Sequence, residues 1–140
     1  DGYFESYPAV KSYMDQSIQQ AREKGFVETM YGRKRFLPDI LSRNSVVRGN
    51  AERNAINSPI QGSAADVIKI ARVNIGAAMD ESGMKSRMIL QVHDELNFDV
   101  WPDELSAMQD LVRKQMEEAV KLRVPLLVDM GHGNNWLEAH

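Results

Sequence analysis

The sequence contains no cysteine, so neither a disulfide framework nor a thiolate-bound zinc site can hold it together or do its chemistry. It also has no apolar run near the roughly 20 residues needed to span a bilayer. The opening Asp1-Gly2-Tyr3-Phe4 lacks the basic and apolar regions of a secretion signal, and the absent initiator methionine suggests a fragment or a processed chain. Internal repeats, low-complexity tracts and linkers are missing too. These absences are compatible with a cytoplasmic setting and give no expectation of a membrane partner.

What is present suits one domain with a modest core: 140 residues, 43% hydrophobic and 26% charged. The formal net charge of -3 argues against nucleic acid as a partner, since Lys and Arg drive phosphate binding. Distribution qualifies that. Between Arg33 and Arg53 six basic residues (Arg33, Lys34, Arg35, Arg43, Arg48, Arg53) stand against Asp39 and Glu52. Charge alone does not separate a phosphate-binding patch from a solvated surface.

Apolar positions Val10, Tyr13, Met14, Ile18 and Ala21 recur at helical spacing and predict a helix over Pro8–Lys24, stopped by Gly25. Phe26–Met30 and Arg35–Leu37 flank Tyr31-Gly32-Arg33-Lys34 and predict a short hairpin with the basic triplet at its turn. Ser42 or Ser45 can cap a helix to about Asn57, with Val47, Ala51 and Ala55 on one face and Arg48 paired with Glu52. Ser58-Pro59-Ile60-Gln61 matches a capping box for a second helix to Met79, whose buried stripe would be Ala64, Val67, Ile68, Ala71, Ile75 and Ala78. The small residues Gly62, Ser63, Ala64 and Ala65 allow close approach of another backbone. Met88–Val92 and Leu96–Val100 alternate as strands around His93-Asp94-Glu95, Asp103–Leu122 is an amphipathic helix, and Val124–Met130 is a last strand. The order implies an α+β fold: a small antiparallel sheet with a β-hairpin, packed by several helices.

His93-Asp94-Glu95 is the candidate for chemistry. On a regular strand two adjacent acids point to opposite faces, but at a hairpin tip both can reach one spot where a hard cation would accept oxygen ligands. An ordinary polar turn would use Asp as well. Arg53, Asn57 and Gln61 are four apart, so on a continuous helix they form one polar row suited to donating into a nucleic-acid groove. Pro59 leaves a helix start or a kink equally open, with Gln61 as a capping residue.

Gln91-Val92-His93-Asp94-Glu95-Leu96 resembles the third polymerase motif of family A DNA polymerases, which sits on a β-hairpin of the palm. Arg53-Asn54-Ala55-Ile56-Asn57-Ser58-Pro59-Ile60-Gln61-Gly62-Ser63-Ala64-Ala65-Asp66 resembles the family's long signature before that hairpin. Tyr31-Gly32-Arg33-Lys34-Arg35-Phe36-Leu37-Pro38 is similar to the stretch after the fingers, and Gly133-Asn134-Asn135-Trp136-Leu137-Glu138-Ala139-His140 to the end of bacterial members. The resemblance covers essentially the whole chain, in order.

It implies that residues 1–140 are the C-terminal portion of a polymerase domain, the end of the fingers and the palm, incomplete on the N-terminal side. The implied activity is template-directed DNA synthesis in bacterial replication and repair, on DNA in the cytoplasm. The implied partners are primer-template DNA, deoxynucleoside triphosphates and the upstream polymerase segments. Asp94 and Glu95 are then the catalytic, metal-binding carboxylates for two Mg2+ ions, with Mn2+ able to substitute. Glu95 supports the site without being indispensable. His93 lies near the primer terminus; Arg53, Asn57 and Gln61 contact template and primer; Arg33, Lys34 and Arg35 are candidates for phosphate. No residue here matches the first palm motif or the nucleotide-holding fingers helix, so the piece alone is expected to be inactive. The residues also leave room for a non-catalytic nucleic-acid module, a metal-dependent nuclease or a structural domain with Asp94 and Glu95 as turn residues.

Overall fold

The computed structural model describes residues 2–140, which divide after Asp66 into two compact units, each with its own core in place of the single core expected. Helices α1 (Gly2–Ser6) and α2 (Pro8–Lys24) come first, then the antiparallel pair β1 (Phe26–Glu28) and β2 (Lys34–Phe36). Helix α3 (Ser45–Glu81) is followed by the hairpin β3 (Arg87–Val92) and β4 (Glu95–Asp99), helix α4 (Leu105–Glu117) and the short α5 (Trp136–Ala139). The fold is α+β with two two-stranded sheets.

In the first unit α2 forms over the expected span, and Gly25 ends it with φ 78°. Ala21, Val27, Leu37, Ile40, Ala51 and Ala55 make the core. Strand β1 is shorter than expected because the Thr29 hydroxyl accepts from the Tyr31 and Arg33 N–H groups while donating to Asp66, which draws Thr29 and Met30 into the loop, and β2 keeps its expected length one residue earlier. Only Arg33 of the basic triplet remains in the turn; Lys34 and Arg35 belong to β2.

Neither Ser42 nor Ser45 caps α3. Asn44 does, its Oδ1 accepting from Val46 N at 3.0 Å and Val47 N at 3.4 Å. The two helices expected around Ser58 are one helix of 37 residues with Pro59 inside it. An interior proline removes the bond to the carbonyl four residues back and costs about 3 kcal/mol in an isolated helix. Tertiary contacts hold the helix on either side of it: the Tyr13 hydroxyl donates to the Ile56 carbonyl at 3.0 Å, and the Arg35 guanidinium donates to Ser58 Oγ at 2.9 Å. Ser58 is therefore buried under Arg35, not free to cap.

The small-residue stretch has the neighbour it requires. Met30 N donates to Ser63 Oγ at 2.9 Å, and a Cβ added at Gly62 would sit 2.6 Å from Thr29 Cγ2.

In the second unit Ile75 and Met79 of α3 pack with Met108 and Val112 of α4 against Met88, Leu96 and Phe98 of the hairpin. Complete burial of a side chain such as Ile75 contributes about 1.5–3 kcal/mol. The buried positions of α3 here are Ile68, Ala71, Ile75 and Met79; Ala64 is exposed and Ala78 only half-buried. A register shift between Met88 and Leu90 breaks the expected alternation, so Leu90 stands 51% exposed while Met88 stays on the core side.

Helix α4 ends at Glu117 rather than Leu122, and Val124–Met130 forms no strand. The Val128 N–H donates to Glu117 Oε1 and its carbonyl accepts from Arg113, so α4 side chains take the bonds a neighbouring strand would make.

The root of the hairpin is tied by Glu104. Its Oε1 accepts from Ser86 Oγ at 2.7 Å and Ser86 N at 2.8 Å, both its oxygens accept from Lys85 N, and Ser86 Oγ in turn accepts from Trp101 N. The Ser86 hydroxyl bond, then the Lys85 amide bond, lowers the Glu104 pKa below the usual glutamate value.

Gly62→Ala is expected to destabilise the chain by about 1–3 kcal/mol through overpacking against Thr29. Adding Thr29→Ser, which removes the clashing methyl and keeps the hydroxyl, should recover most of the loss in urea unfolding; no loss in Gly62→Ala would mean the two backbones stand further apart. The lowered pKa of Glu104 means its stabilisation is complete above the ordinary glutamate pKa of about 4.3 and is lost as pH falls through the folded-state value. Glu104→Gln should flatten the fall of Tm with pH below about pH 4.3, and an unchanged profile would count against this link.

Candidate active site

Strands β3 and β4 pair from Arg87↔Asp99 to Val92↔Glu95, which leaves two residues, His93 and Asp94, to turn the chain. Two-residue hairpin loops require positive φ at their first position. His93 supplies it with φ 52°, the sole non-glycine residue described with positive φ. Glu95 is not a turn residue, as the sequence suggested for all of His93-Asp94-Glu95, but the first residue of β4.

The Asp94 carboxylate is exposed at the tip and has no hydrogen-bond or ion-pair partner among the described residues. Glu95 differs. Its Oε1 accepts from His140 Nε2 at 2.8 Å, the two side chains being 38% and 41% exposed. His140 Nδ1 in turn donates to the Trp136 carbonyl at 2.8 Å, and its ring stacks on Trp136 with centroids 4.3 Å apart. A carboxylate and a carbonyl both accept, so the arrangement favours the protonated ring, in which both nitrogens donate. The bond to Glu95 first, and that to Trp136 second, raises the His140 pKa.

The turn is braced from α3. Arg72 donates to Gln91 Oε1 at 2.8 Å, and Gln91 Nε2 reaches the His93 carbonyl at 3.4 Å.

A hard cation takes carboxylate oxygens, and Mg2+ in particular is held by one or two carboxylates with water and substrate phosphates completing the sphere. Asp94, partnerless and exposed, fits such a ligand, and Glu95 stands beside it with one oxygen committed. Among the described residues no cluster of three or more His, Cys, Asp or Glu could hold a metal by itself. The hairpin thus offers a partial coordination sphere.

The other candidates lie in the first unit. Arg33, Lys34, Arg35 and Gln61 line one cleft of about 290 Å3 with Thr29, Ser58 and Gly62. Their charges are not equally available. Arg33 Nε pairs with Asp66 at 3.0 Å and its Nη2 donates to the Gly62 carbonyl, while Arg35 is bonded to Ser58. The Lys34 ammonium lies 4.6 Å from the Phe26 ring centroid. Since α3 is continuous, Arg53, Asn57 and Gln61 form the exposed polar row that an unbroken helix implied, with Arg53 donating to Asn50. Arg48 is occupied by the Ser42 carbonyl and Glu52.

Sequence reasoning did not find Arg72, Asp66 or His140 as supports, because their partners lie 19, 33 or 37, and 45 residues away. Only contact in space reveals them.

Residues 1–138 match the family model of DNA polymerase family A. The chain is 56% identical over 137 residues to DNA polymerase I of Lactococcus lactis subsp. cremoris, covering 98% of this chain and 16% of that protein. It is 52% identical over 139 residues to DNA polymerase I of Streptococcus pneumoniae, covering 99% of this chain and again 16% of the relative. This chain therefore spans about a sixth of the length of the relatives it matches. It also superposes, with a TM-score of 0.94 and 46% identity, on the POL domain of Pol1 from M. smegmatis in complex with DNA primer-template and dNTP, covering 98% of this chain and 24% of that one. A two-residue turn presenting a partnerless aspartate, a long helix with a polar row, and a match over nearly every residue converge, and the chain belongs to DNA polymerase family A.

Proposed function

We propose that this chain is the C-terminal portion of a bacterial polymerase domain, the end of the fingers and the palm, and that its role is template-directed DNA synthesis in replication and repair. The observation that carries this is Asp94, held without a partner at the tip of a braced hairpin in a chain that matches the family over residues 1–138. Primer-template DNA and deoxynucleoside triphosphates are the substrates, as in the M. smegmatis complex. The setting is the DNA of a bacterial cytoplasm.

The reaction joins the primer 3′-oxygen to the α-phosphorus of a deoxynucleoside triphosphate and releases pyrophosphate. Mg2+, with Mn2+ as a substitute, would lower the pKa of the attacking hydroxyl and neutralise charge on the leaving oxygens. Asp94 is the hairpin's ligand to it and Glu95 the supporting acid. A further carboxylate must come from upstream segments of the polymerase, since no described residue completes the set.

His93, fixed by its backbone at the turn, lies beside the primer terminus in this reading. Arg53, Asn57 and Gln61 donate to minor-groove acceptors, which purine N3 and pyrimidine O2 offer on every base pair. That suits an enzyme that copies any sequence. Lys34, with no carboxylate partner among the described residues, is the best placed of the basic triplet for a phosphate; Arg35, and Arg33 if it releases Asp66, are secondary.

In the full-length enzyme Asp94→Asn should lower the extension rate by roughly a thousandfold, the several kcal/mol a catalytic metal supplies, with primer-template affinity nearly unchanged. Rapid-quench extension and equilibrium DNA binding would check this, and parallel loss of binding and rate would overturn the assignment. Glu95→Gln should be milder. Arg53→Ala or Gln61→Ala should weaken extension equally on templates of different sequence, whereas Lys34→Ala should reduce the salt slope of binding by about one unit. A strong change of sequence preference in Arg53→Ala or Gln61→Ala would refute the minor-groove role.

A further inference from the structure

His140 lies 45 positions from Glu95 in sequence and is nonetheless in direct contact with it. The segment before it is shaped to put it there. A Cβ at Gly131 would collide with the Ala139 carbonyl, and one at Gly133 with Glu138 and the Ala139 amide, so the chain can fold back against α5 only with glycine at both positions. Asn135 caps α5 by accepting from Glu138 N at 3.0 Å, and the Glu138 carboxylate accepts from Asn134 N at 2.8 Å. Trp136 then holds the His140 ring on both its face and its Nδ1 edge. This is much local order for an exposed four-residue helix, and its product is one donor aimed at one carboxylate oxygen.

We infer that His140 is a positioning residue that occupies Glu95 Oε1, so that Asp94, and not Glu95, is the hairpin's full ligand to a divalent cation. The inference rests on the reading of the hairpin as metal-bearing. An oxygen that accepts a short hydrogen bond has given up a lone pair otherwise open to a cation, and the stacked ring also limits the rotamers Glu95 can sample. Removing His140 frees that oxygen next to Asp94. The prediction runs opposite to the one for a residue that merely stabilises the site: metal should bind more tightly while the rate falls, because Glu95 competes for the ion in an unsuited geometry.

The test uses the full-length enzyme on a chain-terminated primer-template, with Mn2+ binding followed by electron paramagnetic resonance, so that no turnover is involved. His140→Ala should bind Mn2+ roughly three- to tenfold more tightly, the range expected of one interaction at a half-exposed site. His140→Gln, whose amide can replace the Nε2 donor, should lie near the wild type. In Glu95→Gln the His140→Ala change should have no further effect. On an extendable primer, His140→Ala should show a lowered half-saturating metal concentration together with a lowered maximal rate. Unchanged or weaker Mn2+ binding in His140→Ala, or full additivity with Glu95→Gln, would overturn the inference. Asp94→Asn is the control: if it binds Mn2+ and extends as the wild type does, the metal reading itself falls, whereas loss there with a silent His140→Ala defeats the positioning role alone.

Discussion

The shortness of the β3–β4 turn governs the second unit. With only His93 and Asp94 between paired residues Val92 and Glu95, the loop has no slack, and the position of Asp94 follows from the register of the ladder. That register is set by packing: Met88, Leu96 and Phe98 must meet the α3 and α4 side chains around Ile75 and Met108. A slip of one residue would turn the apolar set outward. The shift at Ile89 is accommodated on the exposed part of β3, and the pairs next to the turn remain regular. Left-handed backbone at His93 is the local cost, and a non-glycine residue there is held by what surrounds it.

In the first unit the basic residues are mostly occupied. Arg33, Arg35, Arg48 and Arg22 each bond a carboxylate, a carbonyl or a hydroxyl. Several of these bonds fix the β1–β2 pair on α3. Counting basic residues along the chain therefore overstates the charge free to meet a phosphate, and Lys34 emerges because it has no acidic partner among the described residues. Arginine suits the fixing role because its planar fork can meet two acceptors at once, as Arg33 does with Asp66 and Gly62.

Periodicity made much of the fold legible. The span of α2, the existence of both hairpins and the core residues Ile68, Ala71 and Ile75 follow from local pattern. Pro59 misled because a capping box and an interior proline look alike in one dimension; the contacts that hold the helix beside the proline come from Tyr13 and Arg35, 43 and 23 residues from their acceptors. The Val124–Met130 strand failed for a related reason, since an apolar run has strand potential and forms a strand only if a neighbouring backbone is there to pair. At the site, Asp94 and Glu95 and their unequal weight could be read from the resemblance, but the contact that sets Glu95 apart in the structure could not, since no spacing rule connects it to His140.

Glu104 grips the hairpin where β3 begins and β4 has ended, while Arg72 acts through Gln91 near the opposite end. Mechanically this is a propped beam: built in at the root, supported close to the tip, and free only over the last two residues. Both supports act on the strands and leave the two turn residues to project beyond them. The tip that carries Asp94 is thus tied back to the unit through a carboxylate at the root and a guanidinium near the turn, neither of which sits on the tip itself.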